Sequence, residues 1–412
     1  MDDRVTDRRP ATMAAGRTMN PPATSPRLDT EALIDDRRTR IIVCCGSGGV
    51  GKTTAAAAIG LRAAERGRHV VVLTVDPARR LAQAMGLSYL DNIPRPVDTG
   101  FPSGGSLHAM MLDMKRTFDE IVEAHADPDR AAQILANPFY QSLSSSFAGT
   151  QEYMAMEKLG QLHRTDEWDL IVVDTPPSRS ALDFLDAPQR LGRFLDGRLI
   201  RLLTAPAKPG RGYMKMLNAG FSLVTGTLTK VLGAQVLKDM QTFVTAFDTM
   251  FGGFRERAET TYRLLQTPGT AFIVVAAPEP DALREASYFV ERLAGERMPL
   301  AGLILNRVHI PAATRLSAAR SIAAAETLEN HEITNGHAES ADPPRYALAA
   351  GVLRLHAERM QLAVRERRVA EHFTAAHPTV PVAEVAAQPE DVHDLEGLRA
   401  IGLSLASRPA RG

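Results

Sequence analysis

The sequence predicts an α/β fold, a doubly wound and mostly parallel sheet carrying a helical subdomain. Three observations lead there. Short apolar runs rich in Val and Ile recur along the chain and alternate with helical stretches, as in strands covered on both faces. The first run, Ile41–Cys45, opens into a glycine loop and then an alanine-rich helical stretch, Thr53–Arg66. The chemistry-bearing residues fall just past the ends of these runs, where ligands of such sheets bind.

In chain order, residues 1–38 mix Asp, Arg, Pro, Thr and Ala without periodicity and read as a disordered tail. Met13 and Met19 within it are alternative starts. The strands are then Ile41–Cys45, His69–Val75, Leu107–Leu112, Leu170–Asp174, Phe272–Ala276, Leu303–Asn306 and a short one near Thr379–Val382. The nucleotide-binding unit runs over residues 39–400, interrupted by helical insertions at 113–165 and 179–266. The polar stretch 326–344 reads as a flexible loop. Ala347–His372 reads as a charged helix whose Arg365-Glu366-Arg367-Arg368 run is a solvated face. Residues 401–412 read as a C-terminal tail.

Composition narrows the function. The 412 residues are 44% hydrophobic, enough for a large core, and carry a formal net charge of +0. No global field draws such a chain to nucleic acid, and no nucleic-acid partner is expected. No apolar run reaches the roughly 20 residues that span a bilayer, and the charged, Pro-bearing N-terminus lacks a secretory core. The two cysteines, Cys44 and Cys45, are strand neighbours facing opposite ways and read as core packing. A cytoplasmic location follows, peripheral at the membrane if the partner is a membrane protein.

Gly46, Ser47, Gly48, Gly49, Val50, Gly51, Lys52, Thr53 and Thr54 form a phosphate-binding loop between strand and helix. Glycines let the backbone N–H groups approach a phosphate, and the helix N-terminus adds partial positive charge. Lys52 reaches the β- and γ-phosphates, and Thr53 offers a hydroxyl to Mg²⁺. Asp76, in Asp76-Pro77-Ala78, follows a buried strand and is placed to orient a water for attack on the γ-phosphate. Asp174, in Asp174-Thr175-Pro176-Pro177, closes an apolar strand as a Walker B carboxylate, holding Mg²⁺ directly or through water. The catalytic pair is therefore Lys52 and Asp76, the metal pair Thr53 and Asp174, and the cofactors ATP and Mg²⁺.

These motifs, with Pro278-Glu279 and Asn306 in the same order, resemble the ArsA-like ATPases, phosphate-loop NTPases of the deviant Walker A, SIMIBI type. That family includes arsenite-pump ATPases and the guided-entry (GET pathway) ATPases that carry tail-anchored membrane proteins. The resemblance implies Mg²⁺-dependent ATP hydrolysis, a dimer that closes on ATP, and adenine contacts from Asn306 and the backbone near Pro381. Ser47 stands where the family carries a second lysine that reaches across the dimer. The chain is therefore expected either to hydrolyse slowly alone or to pair with a lysine-bearing paralogue; Arg79 and Arg80 are weaker substitutes. The thiolate cluster of an arsenite site and the C-x-x-C of a zinc-clasped dimer are missing, which disfavours arsenite transport.

One further region bears on partners. Leu237, Met240, Val244, Phe247, Phe251 and Phe254 recur at helical spacing, widened by Phe243 and Met250. Upstream, Met216–Thr229 is apolar between Lys215 and Lys230. The segment 216–254 is either helix-on-helix core or a groove for a client's transmembrane helix. The leading expectation is an ATP-driven switch that handles or targets membrane proteins. The alternatives are an energising subunit of an anion efflux system and a MinD/ParA-like positioning ATPase.

Overall fold

The computed structural model describes residues 25–76, 80–100, 104–138, 140–141, 150–176, 256–311, 313–334 and 345–406. The client segment 216–254 lies outside them, as do Pro77, Ala78, Arg79 and Pro177.

Ile41–Cys45 (β1) and Leu170–Asp174 (β5) are buried at every position. Because neighbouring strand residues face opposite ways, that pattern requires both faces of the sheet to be covered. The sheet has eight strands in the order β3-β4-β2-β5-β1-β6-β7-β8. The others are β2 (His69–Thr74), β3 (Arg95–Pro96), β4 (Ser106–Met111), β6 (Thr270–Ala276), β7 (Leu300–Val308) and β8 (Val382–Ala386). All pairings are parallel except β3 with β4, a two-residue edge. Its Pro96 suits an edge, where no ladder donor is needed. The fold class is as expected.

Lys52–Glu65 (α2) leaves the phosphate loop and packs its alanines against the sheet with Ile59 and Leu61. Small side chains let helix and sheet approach closely. The first insertion folds as Met114–His125 (α4), Pro128–Ala136 (α5) and Thr150–Thr165 (α6). Asp113 and Asp127 cap α4 and α5, each accepting from a backbone N–H inside its helix. The second insertion returns as helix 256–266 (α7), then Pro280–Gly295 (α8), Ala318–Thr334 (α9), Arg345–Ala376 (α10) and Leu395–Ala406 (α11) follow.

Several boundaries differ from the sequence reading, most by a residue or a few at strand ends. Residues 25–38 are ordered. Thr30–Asp35 (α1) buries Ile34, and Glu31 pairs with Arg62 and Arg66 of α2. The mixed charges that read as a disordered tail are matched by Arg62 of α2 and by Arg66 at its end. The loop expected at 326–344 is helical to residue 334, since α9 continues against α10. Residues 401–406 are not tail, because Ile401 and Leu405 are buried on α11. The last strand begins at Val382, so Thr379 and Val380 precede the sheet. Glu366, read as part of a solvated run, is buried and accepts from His309.

Candidate functional site

The phosphate loop takes its shape from two close approaches. A Cβ on Gly46 would lie 2.1 Å from the Val275 carbonyl oxygen of β6. Gly51 has φ 93°, and a Cβ there would meet the Asn306 amide nitrogen at 2.2 Å. Only glycine fits either place. Asn306, on β7, donates from Nδ2 to the Val50 carbonyl at 2.8 Å, fixing the loop from the far side of β6. Val50 itself is buried. Lys52 is buried and folds back over the loop, its Nζ donating to the Ser47 carbonyl at 2.7 Å. Burial lowers its pKa, while the charges of Asp174, Cys45 and Asp76 oppose that shift.

Asp174 ends β5 with 0% exposure. Its Oδ2 accepts from Thr53 Oγ1 at 2.7 Å and from Thr74 Oγ1 at 2.9 Å. Its Oδ1 is buried without a hydrogen-bond partner. Burial pushes this carboxyl up to about 6, against the lowering pull of the two hydroxyls. A hydroxyl and a carboxylate with an unmatched oxygen form a hard donor set that fits Mg²⁺. Thr53 and Asp174 would hold that ion, together with oxygens of the bound phosphates.

Thr74 links this pair to Asp76. Its hydroxyl donates to Asp174 and accepts from the Asp76 N–H at 3.2 Å. Sequence reading missed Thr74, because a threonine closing a buried strand reads as ordinary β propensity. Asp76 is half-buried and lines a cleft of about 910 Å³. Gly49, Gly51, Lys52, Thr53 and Thr54 line the same cleft, as does Asn306 beside Gly51.

Pro381 is placed elsewhere. It precedes β8, and its carbonyl accepts from Leu303 N at 2.8 Å, at the start of the strand rather than its carboxyl end. The late register set for β8 explains the difference: the loop that lines the cleft is 386–393, beyond the strand's other end. His309 also lines it, held from behind by buried Glu366 through Nδ1 at 2.6 Å and its backbone N–H at 2.9 Å. No sequence pattern joined that pair, which lies on separate elements.

The two thiols are fully buried on β1, and burial pushes Cys45 up to about 12 and Cys44 well above the usual thiol range. Both therefore stay protonated, poor ligands for a metalloid.

Comparison with known proteins places this geometry. The family model described as anion-transporting ATPase matches residues 39–335. An "ATPase GET3" of Malassezia globosa is 25% identical over 279 residues, covering 68% of this chain and 76% of that protein. Another from Chaetomium globosum is 24% identical over 283 residues, with the same coverage. An "ATPase ASNA1 homolog" of Cryptosporidium parvum is 26% identical over 269 residues, 65% of this chain and 64% of its own. The chain belongs to the anion-transporting ATPase family, and it is an ATPase.

Proposed function

We propose that the chain is a dimeric, Mg²⁺-dependent ATP switch that handles or targets membrane proteins. The observation that carries the chemistry is the convergence of Thr53 and Thr74 on the buried, half-satisfied Asp174 beneath Lys52. ATP's phosphates lie along the loop 46–54, against its N–H groups and the Lys52 ammonium. Mg²⁺, when bound, neutralises charge on the β- and γ-phosphate oxygens. Asp76 orients the attacking water, its backbone held by Thr74. Asn306 faces the base.

Paired measurements of nucleotide binding and turnover test this. Lys52→Ala is expected to lose both. Asp76→Asn is expected to keep binding and lose turnover by about 100-fold or more. Full turnover in Asp76→Asn would remove Asp76 from the mechanism.

The membrane-protein role is supported by the guided-entry names among the relatives and by the buried, protonated thiols, which count against arsenite. Among the described residues no helix is long and apolar enough to cross a membrane, in keeping with a cytoplasmic protein that reaches the membrane through its client. The partner subunit is a second copy or a lysine-bearing paralogue, and the client helix docks within 216–254. Asp76→Asn with ATP, offered a detergent-held C-terminal transmembrane helix, is expected to retain it. Phe247→Asp with Phe251→Asp is expected to abolish capture with ATP binding intact. Retention of a polytopic transporter instead would favour the efflux subunit, and retention of neither the positioning switch.

A further inference from the structure

We propose that Arg80 supplies, from the same chain, the second positive charge at the transferring phosphate. The inference rests on the ATPase reading. Lys52 is the only cation within the loop 46–54, because its second residue is Ser47. Two full positive charges are expected around a transferring phosphoryl group, where charge spreads over its oxygens.

Arg80 is placed to provide the missing one. It begins the short helix Arg80–Ala84 (α3), just past Asp76 on the carboxyl side of β2. Its exposed side chain lines the same cleft as Lys52, Thr53 and Asp76. Among the described residues no carboxylate pairs with it. Two cations that face one cleft both gain when an anion lies between them. Arg307, the other arginine of the cleft, follows Asn306 on β7, on the opposite side of β1. It is placed for the nucleoside end.

In the reaction the water oxygen bonds to the γ-phosphorus as the bond to the bridging oxygen breaks. ADP leaves with that electron pair, and a water proton is released as orthophosphate forms. Negative charge grows on the bridging and equatorial oxygens, where a guanidinium makes paired N–H contacts that a lone ammonium cannot. The charge comes in cis, so the chain turns over ATP without a lysine from its partner.

The test uses the full chain, with kcat at saturating Mg·ATP, ATP affinity, and binding of the ADP–fluoroaluminate complex. Arg80→Ala is expected to lower kcat by about 100-fold while ATP affinity stays within about threefold. Fluoroaluminate-complex affinity should fall by about the same factor as kcat, because the contact strengthens toward the transition state. Arg80→Lys should fall between the two. The proposal is overturned if Arg80→Ala keeps kcat within about twofold of wild type, or if ATP affinity falls as far as kcat/KM. It is also overturned if the wild-type chain binds ATP but turns it over only with a lysine-bearing paralogue. A wild-type chain that binds no ATP would sink the ATPase reading itself.

Discussion

Thr74 Oγ1 touches both halves of the proposed chemistry, the carboxylate of Asp174 and the backbone of Asp76. Valine in its place keeps the shape and removes both bonds. Asp76, proposed to orient the water, then loses its backbone bond to that hydroxyl. Thr74→Val is expected to lower kcat by about tenfold with little change in ATP affinity, since such a loss bears on geometry at the reacting centre. Thr74→Ser should restore most of it; an equal loss in the serine variant would show a packing effect. His108 makes a different kind of statement. Its ring stands edge-on to Trp168, centroids 4.9 Å apart, and its Nδ1 is buried without a partner. Burial lowers its pKa, with the nearby His69 adding to the shift. An unfolded histidine takes up a proton near pH 6.5, whereas the native ring resists until lower pH. Stability is therefore whole above that value and falls as pH drops below it. His108→Phe is expected to flatten the decline of unfolding free energy between pH 7 and pH 5, read by urea titration at each pH.

At the scale of elements, the N-terminal segment is the part whose importance is least visible from its composition. Arg27 bridges Val382, with Leu28 N donating to the Val382 carbonyl at 3.2 Å and Val382 N to the Pro26 carbonyl at 2.9 Å. That covers the start of the last strand at the sheet edge. Arg68, 1% exposed, donates to the carbonyls of Ile34, Thr39 and Asp169 and so pins α1 to the ends of β2 and β5. A chain beginning at residue 39 is expected to lose about 3–5 kcal/mol of stability, from the burial of Leu28 and Ile34 and the stranded Arg68. Unchanged urea denaturation would refute this; retained ATP turnover would agree with it. The same segment marks how far the sequence could be read. Central strands declare themselves, because burial on both faces forces continuous apolar runs such as Ile41–Cys45 and Leu170–Asp174. The loop and the two aspartates were legible because their chemistry fixes residue type and spacing. Segment 25–38, β3 and the β8 boundary were not, since edge elements are held by a few long-range bonds that leave no local period. Thr74, His309 and Glu366 escaped for the same reason: each acts through a partner distant in the chain.

For the molecule as a whole, the cleft ties together parts of the chain that the sheet holds far apart. Asp76 and Arg80 come from beside β2, the phosphate loop from β1, Asn306 from β7, and 386–393 from beyond β8. The last of these leads into α11, whose Arg399 donates to Glu65 at 2.9 Å near the end of α2 and to the Thr99 carbonyl at 2.6 Å. Phosphates bound at the start of α2, with a base against 386–393, would therefore hold both ends of one helix pair. A ligand that binds only the folded state stabilises it by about 2.7 kcal/mol at a hundred times its Kd. That gain should appear locally as slowed amide exchange in 46–54 and in 387–396, and Lys52→Ala should abolish both. Protection confined to 46–54 would show that the base lies away from the loop after β8 and toward Arg307 and His309. The helix pair would then be linked to nucleotide only through α2.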